Sequence, residues 1–161
     1  MRSDGVNILV SSRGNNQTVI KAIGEVYREH RHTCSELVDS MRGYSAAQCC
    51  EAVFDYVVDY VRYCEDPGNN QYVKTPARLL ADGVGDCKSM AVFIASCLYC
   101  LGIDHCFRFV SFNMKPIYTH VYVVAKDERG KEIIIDPVER VNGLPKFNYA
   151  QDYILKRDIT C

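Results

Sequence analysis

The chain has 161 residues, of which 48% are hydrophobic and 24% charged, and its 19 basic and 20 acidic side chains leave a formal net charge of −1. This length suits one domain with its own core, and the balanced charge excludes the field that would hold a nucleic-acid backbone or an anionic membrane. No window reaches the length of a membrane span, and the start carries a six-residue apolar patch without a small-residue cleavage site, so the expectation is an unexported protein.

"GVNILV" predicts a short strand, and "SRGNN" separates it from a helix that starts at about Thr18 and places Val19, Ile23, Val26 and Tyr27 at helix spacing. His30 and His32 in "REHRH" read as a solvated helix end. From Ala46 to Cys64, the residues Cys50, Val53, Phe54, Val57, Val61 and Cys64 form one apolar stripe, the pattern of a helix laid on a core, and "EDPGNN" ends it. Tyr56, Tyr60 and Tyr63 along one edge are explained by packing. In "TPARLLADG", Thr75 can cap, Pro76 stands where a helix tolerates proline, and Gly83 can close the far end.

Asp86 then caps a second helix that holds Cys87 in its first turn. It continues one apolar side through Met90, Ala91, Ile94, Cys97, Leu98 and Leu101 until Gly102. Beyond Gly102 the period changes. "HCFRFVSF", "YTHVYVVAK" and "KEIIIDPV", separated by "NMKP" and "KDERGK", predict an antiparallel meander, in which "FRF" is strand core and rim. Helices followed by strands make the fold class α+β. Nothing marks a linker or a repeat, so the chain is read as one domain, 1–161. Its parts are a helical portion at about 1–70, a core at about 71–140 and a C-terminal extension at 141–161.

Nine cysteines is an odd number, and they fall on predicted helices and strands, unlike the loop positions of a disulfide framework. A reducing, cytoplasmic compartment fits them, and free cysteine packs as a small hydrophobe. "CLYC", with His105 and Cys106 behind it, could suggest zinc. Against that, Cys97 and Cys100 sit inside a helix, and His105 and Cys106 point to opposite faces of a strand.

Cys87 is different because of its position. The first turn of a helix favours the thiolate, since unpaired N–H groups and the positive dipole end face the sulfur, although the charge of Asp86 opposes a second anion nearby. A thiolate nucleophile needs an imidazole partner, and the imidazole needs a group to orient it. On the strands His120 shares a face with Tyr118, Tyr122 and Val124, and Asp136 shares one with Glu132 and Ile134. A three-residue turn over 127–129, with Gly130 in the left-handed bulge conformation, sets residue 126 against 130 and His120 directly opposite Asp136. An even-length turn would separate them. Each residue also has a plain structural reading: Cys87 as a packing thiol, His120 as a satisfied core histidine, Asp136 as a strand-end turn residue.

"GVGDCKSMAVFIASCLYCLGI", then "THVYVV", then "IIIDPV" resembles the core of the transglutaminase-like superfamily of cysteine enzymes, over roughly Tyr72 to Val138. The resemblance implies a papain-like fold and a Cys-His-Asp triad carried by Cys87, His120 and Asp136. "YVKTPARLLADGVGDC" looks like the small phage and prophage members, which implies a bacterial or viral setting, with association with a virion as one form of it. The chain has no tryptophan, and "HVYV" stands where His-x-Trp is usual, so the indole that helps hold the oxyanion in animal transglutaminases is absent. An oxyanion hole would use the backbone N–H of Cys87 and one further donor, with Asn70, Gln71 and Tyr72 as upstream candidates.

The expectation is therefore a cysteine peptidase or amidase that cleaves a peptide or carboxamide bond without a cofactor. Its substrate would be a peptide or protein, cell-wall peptide included. The alternatives are a catalytically silent member acting as a phage structural or interaction protein, and a zinc-stabilised binding module.

Overall fold

The computed structural model describes residues 8–10, 16–67, 71–115, 117–138 and 140–161. In chain order its elements are β1 (Ile8–Val10), α1 (Asn16–His30), α2 (Ala46–Tyr60), β2 (Arg62–Tyr63), β3 (Gln71–Val73) and α3 (Pro76–Asp82). They continue with β4 (Val84–Gly85), α4 (Cys87–Cys100), β5 (His105–Ser111), β6 (His120–Lys126), β7 (Glu132–Ile135), β8 (Arg140–Val141), β9 (Leu144–Pro145) and β10 (Leu155–Thr160). The main sheet is antiparallel in the order β10-β5-β6-β7, while β1 pairs with β3, β2 with β4 and β8 with β9. The class is α+β, as the switch from helical to alternating pattern predicts.

α4 is the axis of the fold. The sequence suggests one apolar side, but Val92, Phe93 and Ala95 are as deeply buried as Met90, Ile94 and Leu98. A helix apolar on all sides has to be surrounded. Val121, Val123, Ala125, Ile133 and Ile135 of the sheet join α4 and the other helices in one core. The opposite face of the sheet carries a smaller cluster of Val110, Tyr122 and Val124, against which Ala150 and Tyr153 pack. Arg108, almost wholly buried, closes that face by bonding Asp158 on β10 and Glu132 on β7.

One expectation about an element end is corrected. α2 stops at Tyr60 instead of running to Cys64, because the Arg62 and Cys64 N–H groups are drawn to the Gly83 and Gly85 carbonyls, both at 2.9 Å. Apolar spacing continues across that break, so periodicity alone cannot locate it. Within the C-terminal extension, β10 supplies the edge strand beside β5.

α3 follows its punctuation. Thr75 accepts from the Arg78 N–H, Pro76 is the first helical residue, and Gly83 is left-handed at φ 65°. Gly85 is needed for a different reason: a methyl group there would drive into the fully buried Leu79 side chain of α3. Gly85→Ala should therefore cost about 1–3 kcal/mol and displace the turn that leads into Cys87. A thermal melt lowered together with slower alkylation of Cys87 is the expected result; an unchanged melt would show that Leu79 yields freely.

Candidate active site

The chain direction of the sheet brings the candidate residues together. The far end of α4, at Leu101 and Gly102, lines the same cleft as Lys126 and Glu128 of the β6–β7 turn. The start of α4 therefore lies at the opposite end, where β6 begins with His120 and β7 gives way to Asp136. His120 Nε2 donates to Asp136 Oδ2 at 2.6 Å, with the two side chains 8% and 1% exposed. The other Asp136 oxygen accepts from the Val138 N–H at 3.1 Å, which fixes the carboxylate. Cys87 lies close enough to His120 to help raise its imidazolium. With Nε2 committed to Asp136, Nδ1 is the nitrogen left for the sulfur. The Tyr122 ring, 5.7 Å from the imidazole, covers the pair.

The register that achieves this differs from the expected one. Lys126 pairs with Glu132, and the Asp127 N–H donates to the Lys131 carbonyl at 2.9 Å, so the three-residue loop is 128–130 and not 127–129. Gly130 takes the left-handed conformation at φ 79°. Moving the turn by one residue shifts the register by two, which preserves the face. His120 and Asp136 are thus diagonal neighbours instead of direct partners, a separation that side chains of this length can bridge. Asp127 stabilises the shifted turn by accepting from the Arg129 and Lys131 N–H groups, both at 2.8 Å.

Burial alone would push the His120 imidazolium toward neutrality, but the hydrogen bonds and charges of Asp136 and Cys87 raise it to about 10. The ring accordingly keeps its proton through neutral pH against the Asp136 carboxylate. At the start of α4, Asp86 Oδ1 accepts from the Ser89 N–H at 3.2 Å, the expected cap.

Three further residues belong to this site, and sequence reasoning missed all three. Lys88, the residue after Cys87, is buried with its ammonium on the Asp86 carboxylate and 3.3 Å from Asp66. Burial opposes its charge, yet the charges of Asp86, Cys87 and Asp66 hold it above its ordinary value. Asp66 in turn accepts from the Tyr72 N–H at 2.7 Å, tying the segment before β3 to the nucleophile turn. Tyr63, on β2 next to Gly85, has its phenol pushed up by burial and then by the charge of Cys87.

Of the upstream oxyanion candidates, Gln71 and Tyr72 lie on β3, and the Tyr72 N–H is committed to Asp66. Asn70 lies outside the described residues.

Beside the site opens a cleft of about 400 Å³ walled by Val58, Tyr60, Tyr63, Met90, Pro137 and Pro145 among others. Three of these adjoin the candidate residues: Tyr63 feels the Cys87 charge, Met90 lies one helical turn on from it, and Pro137 follows Asp136. Neither this cleft nor the larger one of about 460 Å³ at the far end of α4 is lined by Cys87, His120 or Asp136, and only the smaller is lined by residues next to them in sequence or packing.

No family model and no curated protein matches this chain. Among solved structures it is similar to a candidate protease from Parabacteroides distasonis, with a TM-score of 0.60 and 14% identity over 74% of this chain and 26% of that one. It is also similar to calcium-bound Legionella pneumophila LapG, with a TM-score of 0.50 and 20% identity over 74% and 73% of the two chains. The fold is papain-like, of the transglutaminase-like kind. A candidate cysteine protease from Cytophaga hutchinsonii matches over 89% of this chain and 49% of its own, at 19% identity and a TM-score of 0.48. The chain spans about a quarter of the length of the Parabacteroides protein.

On this papain-like frame the other cysteines have structural surroundings. Cys97 and Cys34 are buried in the main core, and Cys100 donates to the Arg31 carbonyl at 3.2 Å. His105 is satisfied on both nitrogens, by the Ile103 carbonyl at 2.7 Å and the Tyr27 hydroxyl at 3.1 Å. Among the described residues no group of three His, Cys, Asp or Glu is arranged to hold a metal ion. No helix among the described residues is long and apolar enough to cross a membrane.

Proposed function

We propose that this chain is a thiol-dependent acyl-transfer enzyme, a cysteine peptidase or amidase, with Cys87, His120 and Asp136 as its triad. One observation carries the reading: a buried imidazole joined at 2.6 Å to a buried carboxylate, with a cysteine in the first turn of a helix close enough to raise it. That combination is costly to assemble as mere packing, and it is what nucleophilic thiol chemistry requires.

Cys87, having given its thiol proton to His120, attacks as the thiolate on the carbonyl carbon of a peptide or carboxamide. The negative charge that develops on the carbonyl oxygen meets the Cys87 backbone N–H, which has no partner within the helix. His120 passes its proton to the leaving nitrogen, the C–N bond breaks, and a thioester remains on Cys87. Water, giving a proton to His120, then attacks the thioester and releases the acid. Asp136 holds the ring in orientation and stabilises its charge. The cleft lined by Tyr63, Met90 and Pro137 gives a peptide side chain room beside the scissile bond. Nine cysteines, all free among the described contacts, fit a reducing compartment.

The test has two arms. Incubation with mixed peptides and bacterial cell-wall fragments should yield cleaved products and an acyl adduct on Cys87 by mass spectrometry. Independently of any substrate, a limiting dose of iodoacetamide at mildly acidic pH should label Cys87 before the exposed Cys64. Labelling that simply follows exposure would replace the enzyme with a silent structural protein.

A further inference from the structure

We infer that Lys88 is a positioning residue for the nucleophile: its buried ammonium cancels the charge of the Asp86 cap and so permits a thiolate at the start of α4. The inference rests on the thiol chemistry proposed above and identifies what tunes it.

The difficulty Lys88 resolves is visible in the residue order. Asp86 is 4% exposed, adjoins Cys87 and must stay at the helix start because it caps the Ser89 N–H. A carboxylate beside the sulfur in so dry a place opposes a second negative charge. Lys88 stands one residue after Cys87, where a lysine stem could reach water, yet its side chain is only 8% exposed and its ammonium is applied to Asp86 Oδ2. The same ammonium lies 3.3 Å from Asp66. The groups around the sulfur are then Asp86 and Lys88 from α4, Asp66 from the segment before β3, and Tyr63 from β2, with Glu65 3.5 Å from its hydroxyl. His120 and Asp136 complete the set from the sheet. Without Lys88, three buried or half-buried aspartates and a thiolate would face a single imidazolium. The influence runs both ways, since a negative charge on Cys87 would help keep Lys88 protonated.

A purely structural salt bridge would also hold the turn together, so the decisive readout is the pH profile of Cys87 and not stability. The rate of iodoacetamide alkylation at Cys87, followed by peptide mapping from pH 4 to 9, would be compared in four proteins. These are the wild type, Lys88→Met, Lys88→Arg and Asp86→Asn. Lys88→Met keeps the apolar stem and drops the charge; its labelling midpoint should move up by about one pH unit, a roughly ten-fold loss of rate on the acid side. Lys88→Arg should stay near wild type. Asp86→Asn retains a good capping residue while leaving the cation in excess, so its midpoint should move down. A folded Lys88→Met with the wild-type profile overturns the inference. If Lys88→Met does not fold, Asp86→Asn decides alone, and an unchanged or raised midpoint overturns it. Failure of the wild type to label Cys87 ahead of Cys64 is a separate result that removes the peptidase reading itself.

Discussion

Cys87→Ala should abolish peptide cleavage, with turnover falling by on the order of 10³-fold or more, while the thermal melt stays close to that of the wild type. The loss is large because the nucleophile has no substitute: a methyl group can neither form the thioester nor accept the charge that His120 is arranged to match. The small structural cost follows from the position. Cys87 is half-buried in the first turn of α4, and alanine is the strongest helix former. Cys50 and Cys97 give the opposite pattern. Both lie in the core, and burial pushes the Cys50 thiol up to about 12, so it is an inert packing group. Cys97→Ala should lower stability by about 1–3 kcal/mol through the cavity it leaves, with kcat per folded molecule retained. Side-by-side melts and rates of the two variants separate a nucleophile from a packing thiol. Cleavage retained in Cys87→Ala would end the proposal.

The parts of this arrangement that could be read from sequence are those written in local residue order. Thr75, Pro76 and Gly83 delimit α3 because capping, proline tolerance and left-handed glycine are properties of single positions. Cys87 at a helix start is legible for the same reason. The meeting of His120 with Asp136 is legible only as parity. An odd-length loop puts them on one face, but whether Asp127 belongs to the loop or to the ladder depends on its side chain accepting the Arg129 and Lys131 N–H groups. That choice displaced the expected register by two residues and left the face unchanged. β10 was hidden because its middle residues, Lys156, Arg157 and Asp158, are exposed on an edge, so the segment reads as a polar tail. Lys88 and Asp66 were hidden for a deeper reason. A lysine after a cysteine, and an aspartate in a helix-ending "EDPGNN", carry no sign of being buried together, since their pairing is made by the fold and not by spacing.

The imidazolium of His120 should make the folded protein lose stability as the solution turns alkaline, and Asp136→Asn should remove much of that dependence. His120 ordinarily titrates near 6.5 and is raised to about 10 in the folded chain, because Asp136 and Cys87 outweigh the burial that opposes its charge. A raised value means that the native state keeps a proton which the unfolded chain releases. The contribution is therefore complete below about pH 6.5, declines as pH rises, and is gone above about 10. A shift of this size corresponds to a few kcal/mol, on the order of 1.4 kcal/mol per pH unit. Denaturant unfolding of wild type and Asp136→Asn at intervals from pH 6 to 10 isolates the effect, since groups common to both proteins cancel in the difference. The wild-type advantage should be greatest at pH 6 and shrink steadily toward pH 10. Cleavage should follow the same proton: the alkaline limb of the rate profile falls near pH 10 in the wild type and at lower pH in Asp136→Asn, because the leaving nitrogen needs the proton that His120 carries. A stability difference that stays constant from pH 6 to 10, or an alkaline limb already complete near pH 7, would mean that His120 is a neutral imidazole. The thiol would then have to be activated without an imidazolium partner.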